Sequence, residues 1–330
     1  MRGIRGSLCS RCGNPAVTYL RYAKLNLCRE HFLDYILDRV ETAVRRYRMI
    51  KPGSRILAAV SGGKDSSTML LTLSKLLAKL EFDLIALHID LGIDGYSSEA
   101  RSIAEEVCKI ACIRYMVVRL EDMIGLGIPE LARKMRRPPC SVCGAVKRYL
   151  LNLAGVEAGV DAVALGHHLD DLAVYILKNF LLQNLEDIRK LGPKTEGYDG
   201  FVVGRIRPLY EVYERDTALY VNLAGIPYQS VECPLHSIGM EGSIRAFLDG
   251  MEENSPGFKI AFLRSIARSI DKYPQPRDYV NRCSMCGMPS QGGICSFCRM
   301  TERVLGKPMG LDVRMKVRDI ISRMVGVKSG

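Results

Sequence analysis

The sequence predicts an α/β fold built on a parallel sheet, with a small metal-bound unit at each end. Three observations predict it. From Arg55 onward, short apolar runs of β type alternate with amphipathic helical stretches, the pattern of βαβ units and of a sheet covered on both faces. The first strand breaks into Ser61-Gly62-Gly63-Lys64-Asp65-Ser66 directly before a helix. Cysteines near both ends recur at CxxC spacing.

In chain order, residues 1–32 form a cysteine-bearing unit, and 33–50 a linker helix that is amphipathic and basic at its end (Arg45, Arg46, Arg48). Lys51-Pro52-Gly53 punctuates before the catalytic domain, 51–275. Strands are predicted at Arg55–Val60, Leu84–Ile89, Tyr115–Leu120 and Ala162–Leu165. Helical patterns separate them at Ser66–Leu80, Ser98–Ala111 and Lys147–Ala158. Asp170–Leu182 and Arg215–Leu223 read as further helices, and Glu241–Tyr273 as one long helical stretch. Tyr273–Asp278 (YPQPRD) is a linker into the last unit, 276–330, which carries a second cysteine group and a basic tail (Lys307, Arg314, Lys316, Arg318, Arg323, Lys328).

A chain of 330 residues suggests about two domains. It has no apolar run long enough to span a bilayer. The stretch MRGIRGSLCSRCG lacks the apolar core of a signal peptide, so a cytoplasmic protein without a membrane partner is expected. The net charge of +11 favours a polyanionic partner. In a cytosolic chain, paired CxxC spacing argues for metal rather than disulfides. Cys108 and Cys112, four apart in a helical pattern, are expected to be buried core thiols.

The Ser61–Ser66 turn joins a strand to a helix N-terminus, where free N–H groups and the dipole favour an anion. Glycines let the backbone approach a phosphate, Lys64 adds charge, and Ser61, Ser66 and Ser67 add hydroxyls. The Walker and dinucleotide glycine patterns are both absent. The turn resembles the PP-loop of the N-type ATP pyrophosphatases. That resemblance implies a HUP-like sheet whose loop holds the β,γ-pyrophosphate of ATP while an acceptor oxygen attacks the α-phosphate. Downstream, Gly166-His167-His168-Leu169-Asp170-Asp171 resembles the GH(H/N)xDD element of the tRNA-thiolating branch. By resemblance Gly166 touches the nucleotide and Asp171 is a catalytic or magnesium-linked carboxylate. Asp170 and Asp171 also suit helix capping, and His167 and His168 suit packing as well as chemistry.

Cys140 and Cys143 sit at CxxC spacing on a loop opening a helix, and Cys233 lies far along the chain. The spacing leaves three readings open: an iron–sulfur cluster with one open iron, a persulfide–disulfide relay, or a zinc site completed by His236. Cys9, Cys12, Cys28 and His31 form a zinc-knuckle set, and Cys283, Cys286, Cys295 and Cys298 a four-thiolate set, both of structural type. Arg11, Arg29, Arg282 and Arg299 adjoin these ligands and are expected to help grip RNA.

The order of SGGKDS, RRPPCSVCG, KRY, GHHLDD, PLYEVYER, ECP and MEENSPG between the two cysteine units resembles the tRNA 2-thiouridine synthetase (TtuA) family over nearly the entire chain. The resemblance implies an ATP-dependent tRNA sulfurtransferase that adenylates a uridine C2 oxygen and replaces it with sulfur, at position 54 of the T-loop. The wobble-uridine enzymes, and PP-loop tRNA enzymes that do not thiolate, are the alternatives. It implies Cys140, Cys143 and Cys233 as ligands of a 4Fe–4S cluster, with Lys147 and Asp171 completing the catalytic set. It also implies an ATP site of Ala59, Ser61, Gly62, Gly63, Lys64, Asp65, Ser66, Ser67, Ile89, Lys147, Gly166 and Asp171, with Mg2+, and two structural Zn2+. Implied partners are tRNA, ATP, a ubiquitin-like thiocarboxylate sulfur carrier and a second copy of the chain.

Overall fold

A computed structural model describes residues 7–198, 200–236, 239–275 and 281–326. The end of the YPQPRD linker and Lys328 lie outside them. A hairpin, β1 (Thr18–Leu20) and β2 (Leu25–Leu27), leads into the long helix α1 (Arg29–Arg46). Then come β3 (Arg55–Ala59), α2 (Lys64–Leu80), β4 (Asp83–Asp90), α3 (Tyr96–Ile110) and β5 (Tyr115–Arg119). Two short helices, α4 (Leu120–Ile124) and α5 (Ile128–Met135), precede α6 (Pro139–Glu157), β6 (Ala162–Ala164) and α7 (Leu169–Leu181). After α8 (Leu185–Arg189), β7 (Lys194–Thr195) and β8 (Gly204–Ile206) complete the sheet. The helices α9 (Glu214–Ala224), α10 (Met240–Asn254) and α11 (Phe258–Arg268) follow. The last unit holds β9 (Asn281–Arg282), β10 (Pro289–Ser290), α12 (Ser296–Leu305) and α13 (Gly310–Gly326).

The six-stranded sheet runs β5-β4-β3-β6-β8-β7, parallel except for β7. The chain winds outward from β3 through β4 to β5, then returns to the other side of β3 as β6. Ala58 of β3 therefore pairs Ala86 on one side and Ala164 on the other. A crevice beyond the carboxyl ends of β3 and β6 is the natural ligand position in such a sheet. Side-chain alternation splits the core by face. Ile56, Ala58, Leu84 and Ala86 join the core under α1, α2, α7 and α9. Leu57, Ile85, Leu87 and Val163 join the core with α4 to α6 and the C-terminal unit.

Four sequence expectations change. Cys140 and Cys143 lie within the first two turns of α6, not on a preceding loop, because Pro139 starts the helix. The stretch Glu241–Tyr273 breaks at Ser255-Pro256-Gly257, where Gly257 takes φ +97, giving α10 and α11. Cys108 is buried, but Cys112 is exposed: α3 ends at Ile110, and Cys112 turns out at φ +55. The basic tail is largely the helix α13, which packs Val313, Val317 and Ile321 into the core and pairs Arg314 and Arg318 with Glu157.

Glu211 ties the N-terminal half to the catalytic core. Its side chain is 2 % exposed and meets Arg39, Arg46 and Arg264. Tyr47 also donates to it at 2.7 Å. Burial pushes its carboxyl up, but the Arg264, Tyr47 and Arg46 hydrogen bonds outweigh this and hold it at about 2. The folded-state value is depressed, so this stabilisation is full above the ordinary value of 4.5 and is lost as pH falls toward 2. Glu211→Gln is expected to cost about 3 kcal/mol in a denaturant melt at pH 7, the low end for breaking a buried pair, because Arg46 and Arg264 regain water. The difference between variant and parent should shrink below pH 4.5.

Candidate active site

The phosphate-type nest forms where β3 meets α2. Gly62 takes φ +87, and a Cβ there would stand 2.6 Å from the Ala100 carbonyl, so glycine is required. Gly63 caps α2. Ser61 N–H donates to Ser66 Oγ at 3.1 Å, and the Ser66 and Ser67 hydroxyls donate back to the Gly63 carbonyl, which holds the loop in shape. Gly166, at the end of β6, packs against this loop: a Cβ would meet Ser66 N at 3.0 Å. The two signature loops are thus one structure. Ala59 and Ile89 lie at the carboxyl ends of β3 and β4, on the same rim.

Around the nest stands a charged ring. Lys64 Nζ meets Asp65 Oδ2 at 3.2 Å and Glu214 Oε1 at 3.0 Å. Burial pulls Lys64 down, but Asp65 and Glu214 more than offset it, so the ammonium persists. Arg245 of α10 bridges Asp171 at 2.8 Å and Glu214 at 2.7 Å. Burial pushes the Asp171 carboxyl above its ordinary value. Asp171 N–H donates to His168 Nδ1, so the ring's proton sits on Nε2, 3.4 Å from Asp171 Oδ2. His168 therefore both caps α7 and faces the carboxylates. Asp170 points elsewhere, accepting from Glu214 N–H at 2.7 Å and from buried Lys259. Burial would raise Asp170, but these donors hold it below its ordinary value. It is a structural anchor that fixes the start of α9. His167 is a packing neighbour of Tyr175 with its Nδ1 unpartnered, and burial pulls its pKa down to about 3.

The remote thiols converge. Cys140, Cys143 and Cys233 line one cavity of about 720 Å³ together with Lys147 and Asp171. On α6, residues 140, 143, 144 and 147 share the face that looks into it. Burial pushes the Cys143 thiol up, against the pull of the Lys147 ammonium one turn along. The three sulfurs do not close to within 4.8 Å of one another, whereas both terminal sets do. Three cysteine side chains around one cavity are a donor set that a cluster with one open iron would use.

In the terminal sets, Cys28 Sγ lies 3.3 Å from His31 Nδ1, and Cys12 Sγ 3.8 Å from Cys28 Sγ. Cys286 Sγ lies 3.8 Å from Cys295 Sγ. In each set all four donor atoms lie within 4.8 Å of one another, close enough to hold a metal ion. The C-terminal set is bolted to α6: Tyr149 stacks on Phe297 at 4.0 Å and donates to the Gly310 carbonyl at 3.0 Å.

A PP-loop domain model matches residues 36–233, and a model described as the 2-thiouridine synthetase TtuA N-terminal LIM domain matches residues 8–33. The tRNA-5-methyluridine(54) 2-sulfurtransferase of Pyrococcus horikoshii is 38 % identical over 88 % of this chain and 92 % of its own. This chain belongs to the TtuA family. The Thermus thermophilus enzyme of the same name is also 38 % identical, over 90 % of this TtuA-family chain and 92 % of its own. Among solved structures, the U34-tRNA thiolase NcsA from Methanococcus maripaludis with its [4Fe-4S] cluster superposes at TM-score 0.75. It is 25 % identical and covers 93 % of this chain and 97 % of that one.

Sequence reasoning missed Glu214, Arg245 and Thr217, whose hydroxyl donates to Asp65. Glu214 sits in PLYEVYER and Arg245 shortly after GMEGS, without spacing that marks a ligand. Only the fold brings them to the TtuA-family signature loops.

Proposed function

We propose that this protein is an ATP-dependent tRNA uridine 2-sulfurtransferase acting at position 54 of the T-loop. The observation that carries the reading is the single cavity in which the three remote thiols face Lys147 and Asp171, beside the anion nest. Oxygen at C2 of uracil is a poor leaving group. The nest binds the β,γ-phosphates through the α2 N-terminus, and Lys64 moves from Glu214 onto them. The uridine O2 attacks the α-phosphate, pyrophosphate leaves, and the base carries AMP. Asp171 and Asp65 are the carboxylates that would hold the Mg2+ accompanying ATP, which would neutralise charge on the leaving pyrophosphate. Cys140, Cys143 and Cys233 hold a 4Fe–4S cluster, which when bound supplies a soft sulfide close to the activated base. Lys147 balances the charge of the thiolates, and the cavity walls limit water, which would otherwise hydrolyse the adenylate.

Position 54 is favoured over the wobble position because three relatives named for 54 are 35–38 % identical, against 30 % for a relative named NcsA. By the same resemblance the sulfur comes from a ubiquitin-like thiocarboxylate carrier, and the enzyme is a cytoplasmic homodimer. No described helix is long and apolar enough to cross a membrane.

The terminal sets each hold a structural Zn2+. At Gly310 a Cβ would stand 2.8 Å from Cys286 Cβ and still closer to Cys298 Sγ. Gly310→Ala is therefore expected to lower metal analysis from two zinc ions to one and to reduce thermal stability; retention of both would contradict the assignment.

The function is tested by incubating the anaerobically prepared protein with ATP, sulfide and unmodified tRNA, then digesting the tRNA for mass analysis of its nucleosides. One 2-thiouridine-type base mapping to position 54 is expected. Sulfur at position 34 would move the protein to the wobble group, and unchanged tRNA with pyrophosphate released would leave a PP-loop enzyme that does not thiolate.

A further inference from the structure

The second face of α6 carries a site of its own. While residues 140, 143, 144 and 147 face the catalytic cavity, Ser141, Val142, Ala145 and Arg148 line a separate groove of about 460 Å³. Its opposite wall is α12 of the C-terminal cysteine unit, which contributes Ser296, Arg299 and Arg303, and Arg137 closes one end. All four arginines are exposed. Several of the cations at the two ends of the chain are used within the molecule. Arg29 donates to the Leu223 carbonyl at 2.8 Å, Arg282 lies 4.4 Å over the Phe201 ring, and Arg314 and Arg318 hold Glu157. No ion pair occupies Arg137, Arg148, Arg299 or Arg303 among the described residues. Burial pulls the half-buried Arg205 guanidinium below its ordinary value and Arg148 adds to this, a like-charge repulsion that an anion would relieve.

We infer that this groove seats the phosphate backbone of the substrate tRNA, with Arg137, Arg148, Arg299 and Arg303 as its phosphate contacts. The inference rests on the sulfurtransferase reading and assigns where its RNA lies. Guanidinium forks match phosphate geometry, and the Ser141 and Ser296 hydroxyls add donors suited to phosphate and ribose oxygens. The placement has a consequence for chemistry. One helical turn, at Pro139–Cys143, separates the groove from the thiol cavity, so a strand in the groove reaches the cavity by extruding one nucleotide around the α6 N-terminus. Docking α12 on α6 through Tyr149 and Phe297 sets the width of the groove.

The test is tRNA binding by the full-length holoprotein, measured by filter binding across a salt series, for Arg299→Ala/Arg303→Ala, Arg148→Ala and Arg318→Ala. The double variant is expected to weaken binding about tenfold and to lower the slope of log K against log salt by about two; Arg148→Ala should lower it by about one. In turnover, KM for tRNA rises while kcat at saturating tRNA, ATP binding and metal content stay unchanged. Arg318→Ala, whose partner is Glu157, leaves the slope unchanged. Unaltered affinity and slope in both groove variants would overturn the inference, as would an equal loss in Arg318→Ala. If the parent thiolates tRNA while the groove variants bind normally, the groove alone fails. If the parent neither binds nor modifies tRNA, the sulfurtransferase reading falls with it.

Discussion

Cys143→Ala reduces sulfur incorporation on the order of 10⁴-fold or more, the scale seen when one member of an interdependent catalytic unit is removed. Pyrophosphate release persists. The two halves of the reaction use different places: the nest needs Gly62, Gly63 and Lys64, and the sulfur step needs the trio in the neighbouring cavity, which Asp171 and Arg245 join to the nest. In the variant the adenylated base meets only water, so AMP and pyrophosphate accumulate while the uridine is regenerated. Cys140→Ala and Cys233→Ala should match Cys143→Ala, and the triple variant should be no worse than any single one, because three ligands to one group act together. The measurement pairs a pyrophosphate assay with nucleoside mass analysis on the same samples. Losing pyrophosphate release as steeply as sulfur would show that the thiols serve the nest rather than a separate step.

Lys64→Ala gives the opposite division. Pyrophosphate release and thiolation fall together by about 10²–10³-fold, the cost of removing one preorganised donor from a site of developing charge. Metal and sulfur content stay at parental levels, since Lys64 lies on α2 and does not line the thiol cavity. Lys64 is held between Asp65 and Glu214, so those carboxylates position it in the free enzyme. Activity retained in Lys64→Ala would remove the nest from the chemistry.

The parts of this site that were legible in the sequence are those in which local backbone demands fix residue type. Gly62 is written into the sequence because φ +87 and the nearby Ala100 carbonyl admit no side chain. Asp171 was singled out only through the resemblance of GHHLDD to a family element. The terminal sets were legible because a tetrahedral ion imposes CxxC spacing. Convergence of Cys233 on α6 was legible only through family resemblance, since its loop has no periodic signal to place it. The roles of Glu214 and Arg245 were not legible: they depend on α9 packing on α2 and α10 on α7, a tertiary event. The break at Ser255-Pro256-Gly257 was visible as residues, yet the flanking apolar pattern on both sides outweighed it. The basic tail misled for a related reason. Net charge reads the same whether an arginine faces solvent or, like Arg314, pairs with Glu157.

The central claim is that this cavity activates a base oxygen as an AMP ester and then replaces it with sulfur. The most direct measurement uses a T-arm RNA synthesised with ¹⁸O at C2 of the target uridine, incubated with the holoprotein, ATP and sulfide. Mass analysis of the released AMP should find one ¹⁸O in its phosphate for each 2-thiouridine formed. Unlabelled AMP accompanying full sulfur incorporation would mean that the oxygen leaves by another route, and would contradict the account.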